Sequence, residues 1–105
     1  MDIPIFTKLP GSTQLDFTFD WNYTDDLDED PWLEENETIV NYDVVSSNPA
    51  ELSVILVMQS LGQVTAWVTG GILGNSYILT CQVETSNDPP RIEKRMMTIK
   101  IVDKK

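Results

Sequence analysis

Between Gln63 and Ser86 two strand-like runs, Val64 to Val68 and Tyr77 to Glu84, flank a corner that holds Gly70, Gly71 and Gly74. Glycine adopts positive φ without a Cβ clash, so such a corner can reverse the chain between strands. The second run alternates: Tyr77, Leu79, Cys81 and Val83 face one way, and Ile78, Thr80, Gln82 and Glu84 the other. A period of two is the signature of a half-buried strand. This stretch predicts a small β-sandwich and carries no chemistry of its own.

The rest of the chain repeats the pattern. Leu15, Phe17, Phe19 and Trp21 alternate with Asp16, Thr18 and Asp20. A second strand is predicted from Thr38 to Val45, where β-branched residues cluster. Asn48-Pro49 signals a turn. Leu52 to Met58 is apolar on both parities, as expected of a strand with one face on the core and the other against a partner. The last strand runs from Arg91 to Val102, with Met97, Ile99 and Ile101 inward. Six strands, or seven with a short one that the pattern does not place, recur about every ten residues. That spacing predicts an all-β fold, an immunoglobulin-like antiparallel β-sandwich.

Two segments fall outside the pattern. Residues 1–14 read as an extended N-terminal arm, in which Ile3, Ile5 and Phe6 lie near Pro4 and Pro10 with no periodic partner. The domain proper is then 15–105. Thr24 to Glu37 is an acidic connection interrupted by Pro31, after which Trp32-Leu33 is placed to plug the sandwich edge.

Charge is unevenly distributed. The net charge is −10, yet residues 1–51 hold 13 of the 17 acids and one base, Lys8. Strong net charge favours solubility, and its polarity along the chain would also orient a subunit within an assembly. Direct nucleic-acid binding is disfavoured, because a duplex would meet mostly negative potential. No apolar run approaches the ~18 residues of a membrane span, and Met1-Asp2-Ile3-Pro4 lacks the basic start of a secretory leader. No membrane partner is expected.

The chain has no histidine and a single cysteine, Cys81, at an inward position. The usual triads, most zinc sites and a disulfide are thereby removed. Gly70-Gly71-x-x-Gly74 lacks the Lys-Ser/Thr of a phosphate loop. Asp26, Asp28, Asp30 and Glu37 match positions 1, 3, 5 and 12 of a calcium loop, but Pro31 stands where that loop needs a glycine with positive φ. We expect no enzyme activity, no cofactor and no metal site.

The aromatic residues leave binding as the alternative. Trp67 is flanked by Ala66 and Val68, so either parity could face the core. Packed between the sheets it is structural; exposed, it anchors a partner. Tyr77 follows the glycine corner, which predicts a tyrosine corner: a buried ring with its hydroxyl bonded to the turn backbone. The candidate partner-binding residues are Ile3, Ile5, Phe6, Trp32 and Trp67.

In order, the chain carries Phe19-Asp20-Trp21, Trp32-Leu33, Glu37-Thr38-Ile39 and Val64-Thr65-x-Trp67-Val68-x-Gly70-Gly71. These are followed by Gly74-x-x-Tyr77-x-Leu79-Thr80, Val83-x-Thr85-Ser86, and Arg95 before Thr98-Ile99. Over about Asp16 to Ile101 this resembles a family of small tailed-phage structural proteins with an immunoglobulin-like fold, of the fibre-tail adaptor or head-tail connector type. The chain departs from that family in the acidic insert at 25–30, in Asn36 where the family carries glycine, and in the arm. The resemblance implies a non-enzymatic virion protein in the tail or neck region, made in the host cytoplasm. It would link a tail or neck protein to a fibre in a ring of copies, a homo-oligomer. The alternative is a capsid decoration (cement) protein whose partner is the capsid protein. A carbohydrate-binding module is a further alternative, with Trp32 and Trp67 as stacking faces.

Overall fold

Period-two alternation buries one side of each strand, and two such sheets can hide their apolar sides only against each other. The computed structural model describes residues 5–8, 14–22, 32–34 and 36–102, none of them helical. They form β1 (Ile5–Lys8), β2 (Gln14–Asp20), β3 (Ile39–Ser46), β4 (Leu52–Ser60), β5 (Gln63–Gly70), β6 (Ser76–Thr85) and β7 (Ile92–Ile101). One sheet has the order β1-β7-β6-β3 and the other β2-β5-β4. This is the all-β sandwich that the alternation predicts.

The inner faces carry the residues that the pattern points inward. Phe17, Phe19, Trp21, Val64, Ala66 and Val68 meet Tyr77, Leu79, Cys81, Val83, Met97, Ile99 and Ile101 in one buried cluster. Each fully buried large apolar side chain there contributes roughly 1.5–3 kcal/mol. Cys81 is a free, buried thiol, pushed up to about 11 chiefly by its burial, so it packs as a small hydrophobe.

Trp67 takes the outer parity. Ala66 lies opposite Phe17 in the β2–β5 ladder, so the small side chain faces the core beside the large ring. Val64, Ala66 and Val68 are wholly buried, which sends Trp67 to the other face, half-buried. The packing of Trp67 between the sheets is thus overturned.

A second correction concerns the N-terminus. Ile5–Lys8, within the stretch expected to be an arm, is the strand the pattern could not place. It runs parallel to β7, with Ile5 opposite Thr98 and Lys8 opposite Ile101. This ladder is parallel, whereas the other ladders of the sandwich are antiparallel as the pattern predicts. Four residues are too few to display a period, and so alternation could not reveal β1. Lys8 is wholly buried; its ammonium donates to the Gly70 carbonyl at 2.7 Å, and burial lowers its pKa.

The turns follow from local sterics. Leu61 (φ 52°) and Gly62 (φ 81°) make the two-residue β4–β5 hairpin turn, whose backbone twist suits the flanking strands. At the β5–β6 corner Gly70 and Gly71 have φ of 96° and 103°, and Gly71 N–H donates to the Glu51 carbonyl at 2.7 Å. Asn36 has φ 67°. Asparagine is among the few non-glycine residues that tolerate this left-handed region.

Candidate partner interface

One end of the sandwich is closed by tryptophans and arginines. Trp21 leaves β2 with its backbone N–H donating to the Gly62 carbonyl at 2.9 Å, and its side chain is fully buried. The Trp32 ring meets it edge-on at 4.9 Å. The Arg91 guanidinium lies 4.1 Å from the Trp32 ring centre, and that of Arg95 4.1 Å from the Trp21 ring centre. Cations over indole faces are held by the ring quadrupole. Arg91 also donates to the Trp32 carbonyl at 2.6 Å, and Arg95 to the Asp20 carbonyl at 2.8 Å. Leu33 is buried beneath this layer. Trp32-Leu33 does plug the sandwich, and the half-buried Trp32 ring is already engaged by Trp21 and Arg91.

Glu37 lies in the same assembly. Its side chain is fully buried, ion-paired to Arg91, and accepts the Glu34 N–H at 2.8 Å. The hydrogen bond from Arg91 is the main cause that holds its pKa down to about 2, against the opposing effect of burial. Arg91 in turn is raised by Glu37. The carboxylate considered for position 12 of a calcium loop is thus committed to a guanidinium. Asp26, Asp28 and Asp30 lie outside the described residues. Among the described residues no group of three or more His, Cys, Asp or Glu could hold a metal ion.

The outer face of the β2-β5-β4 sheet is different in kind. Trp67 stands between Asp16 of β2 and Leu56 of β4, and Thr65 between Thr18 and Met58. The hydroxyls of Thr18 and Thr65 are 2.9 Å apart. The β4 ladder shifts between Val54 and Leu56, leaving Ile55 at the irregularity. Ile55, Leu56 and Met58 are exposed by 48%, 51% and 55%. Large apolar side chains grouped this way on a solvent face mark interaction surfaces. The sequence hint was the two-parity apolar run in Leu52 to Met58.

The remaining candidates lie elsewhere. Ile5 is exposed on β1, in the row of Thr98 and Ile78 on the outer side of the four-stranded sheet. The Phe6 ring packs 5.8 Å from Phe17 and stays partly exposed. Ile3 lies outside the described residues. The five candidates therefore do not converge on one site. Trp32 packs on the core end while Trp67 stands on an outer face, so they form no shared stacking platform for a glycan.

Leu61 at the β4–β5 tip, and Ile72 and Leu73 in the β5–β6 corner, are among the exposed apolar residues that the candidate set lacks. The available signal was a large apolar residue beside a turn glycine. At that corner Tyr77 forms the expected tyrosine corner, its oxygen accepting the Ile72 N–H at 3.0 Å and its hydroxyl donating to Glu51 Oε1 at 2.7 Å.

Over residues 8–100 the chain matches the family described as "Podophage GP4 fiber-tail adaptor protein gp77". No curated protein matches it.

Proposed function

The chain belongs to the podophage fiber-tail adaptor family, and from that premise we propose that it bridges a tail or neck component and a fibre in the phage virion. The family match carries this reading. It agrees with a surface that offers apolar and aromatic contact area. The protein acts by surface complementarity without catalysis, and without direct contact to nucleic acid or membrane. Copies sit in a ring, where a single interface repeats by rotation. The half-buried Trp67, with the exposed Leu56 and Met58 beside it, supplies an anchor of the type that dominates binding energy. Ile5, Phe6 and the exposed part of Trp32 supply further contacts, as does Ile3.

The immunoglobulin-like description is compatible with the observed strand order. The protein folds in the host cytoplasm and then joins the tail region of the particle.

The test is the copy number per purified particle, combined with labelling of its position. A small, ring-sized number at the tail, with fibres lost when the protein is absent, is the expected result. Hundreds of copies on the capsid would overturn the adaptor role and support the decoration protein instead.

A further inference from the structure

We propose that neighbouring copies meet head to tail, the apolar tip of the β5–β6 corner of one copy seated in the apolar hollow at the opposite end of the next. The inference rests on the ring reading above and names the contact that repeats within it. The tip is Ile72 and Leu73, 49% and 54% exposed. Hydrogen bonds hold its shape: Ile72 N–H donates to the Tyr77 oxygen at 3.0 Å, Asn75 N–H to the Ile72 carbonyl at 3.0 Å, and Gly74 N–H to the Ile101 carbonyl at 3.1 Å. An apolar tip that is already ordered loses little conformational freedom on docking. The hollow, about 600 Å³, lies between the β4–β5 turn and the start of β3. Leu33, Ile39 and Leu61 form its apolar wall, with Leu61 90% exposed, and Glu34 is the exposed acid on it.

Shape and charge together select a second copy as the occupant. The tip and the hollow lie at opposite ends of the sandwich: β6, ten residues from Ser76 to Thr85, spans about 30 Å between them. The tip therefore cannot reach its own chain's hollow. A patch that fits a pocket elsewhere on the same molecule makes a heterologous contact, the kind that closes rings. The charges at the two ends are also complementary. Gln63 to Val83 carries no charge, so the corner brings no acid of its own, and Lys100 stands beside it opposite Ser76. Glu51 behind the corner is engaged by the Tyr77 hydroxyl. At the hollow, Glu37 is neutralised by Arg91, which leaves Glu34 to meet the neighbour's Lys100. That pair joins opposite charges in subunits of net charge −10 that repel elsewhere. The segment that leaves at Asn22 and returns at Trp32 is a poorer occupant. Five of its nine residues are acids, and carboxylates are costly to bury in an apolar hollow. Trp67, on a sheet face, stays available for the tail or the fibre.

The experiment is sedimentation velocity of the full chain from micromolar to millimolar concentration, where the wild type is expected to form oligomers. Leu73→Asp blocks the tip and Leu61→Asp blocks the hollow. Each alone should weaken association at least about tenfold, and thermal melting checks that each variant is folded. An equimolar mixture of the two should form a heterodimer and nothing larger, because one intact tip then meets one intact hollow. Lys100→Glu should weaken association, and adding Glu34→Lys should restore it. A wild type that stays monomeric at millimolar concentration overturns the proposal, whether the hollow is then covered by the chain's own acidic segment or open to a different protein. A mixture that stays monomeric, variants that associate like the wild type, or a charge swap that restores nothing also overturns it. The ring reading fails separately, through hundreds of copies on the capsid; a ring-sized copy number with a monomeric mixture removes this contact alone.

Discussion

Arg91 holds Glu37 at two points: Nε donates to Oε2 at 2.9 Å, and a terminal nitrogen donates to Oε1. The same guanidinium covers the Trp32 ring. One arginine thereby fastens the segment around Trp32 to Glu37 onto the β6–β7 turn and closes that end of the core. Glu37 is fully buried while Arg91 is about one-third exposed, so the two members of the pair do not respond equally to substitution.

Arg91→Met should therefore destabilise the domain by about 3–5 kcal/mol, because it strands a buried carboxylate. Glu37→Gln keeps a hydrogen-bonding side chain and should cost less, about 1–3 kcal/mol. Urea denaturation of both variants checks the order; equal or reversed losses would show that the pair is not the closing element.

The same pair sets an acid limit. Glu37 falls from an ordinary 4.5 to about 2 in the folded protein. A depressed carboxyl stabilises the fold above its unfolded pKa, and that contribution drains away as pH falls through the window from 4.5 towards 2. Melting temperature should decline across this window in the wild type and decline less steeply in Glu37→Gln.

Tyr77→Ala should cost about 3–5 kcal/mol, as for other losses of a buried aromatic ring. Tyr77→Phe keeps the ring but leaves the Ile72 N–H and Glu51 without their shared partner, a loss of about 1 kcal/mol. Trp67→Ala, on the outer face, should change stability by less than about 1 kcal/mol while reducing incorporation into particles. A large stability loss for Trp67→Ala would place its ring in the core.

The glycine corner separates close approach from conformation. A Cβ on Gly70 would meet the Glu51 carbonyl oxygen at 2.3 Å, whereas one on Gly74 would meet nothing within 4 Å. Gly74→Ala should cost only the positive-φ strain, about 1–2 kcal/mol, and Gly70→Ala distinctly more. Comparable melting temperatures for the two would contradict the close packing of Glu51 on the corner.

Deleting residues 1–8 removes β1, its parallel ladder with β7, the Phe6 contact with Phe17 and the buried Lys8. The truncated protein should melt at a lower temperature than the full chain. An unchanged melting temperature would restore the reading of this segment as an extended arm.

The sequence by itself determined the strands that are long enough to alternate, and with them the inward sides of β2, β6 and β7, the tyrosine corner and the sandwich class. Alternation is a local property, and a half-buried strand writes it directly into the residue order. The two-parity apolar run of β4 likewise announced a strand with a second face to cover. The tertiary structure alone decided the parity of Trp67, because Ala66 and Val68 permit either side and the choice rests on Phe17 packing over Ala66. It alone decided that Ile5–Lys8 joins β7, since a four-residue strand is defined by the edge that receives it. It also paired Glu37 with Arg91, residues 54 positions apart, which only the closure of the sandwich end brings within reach.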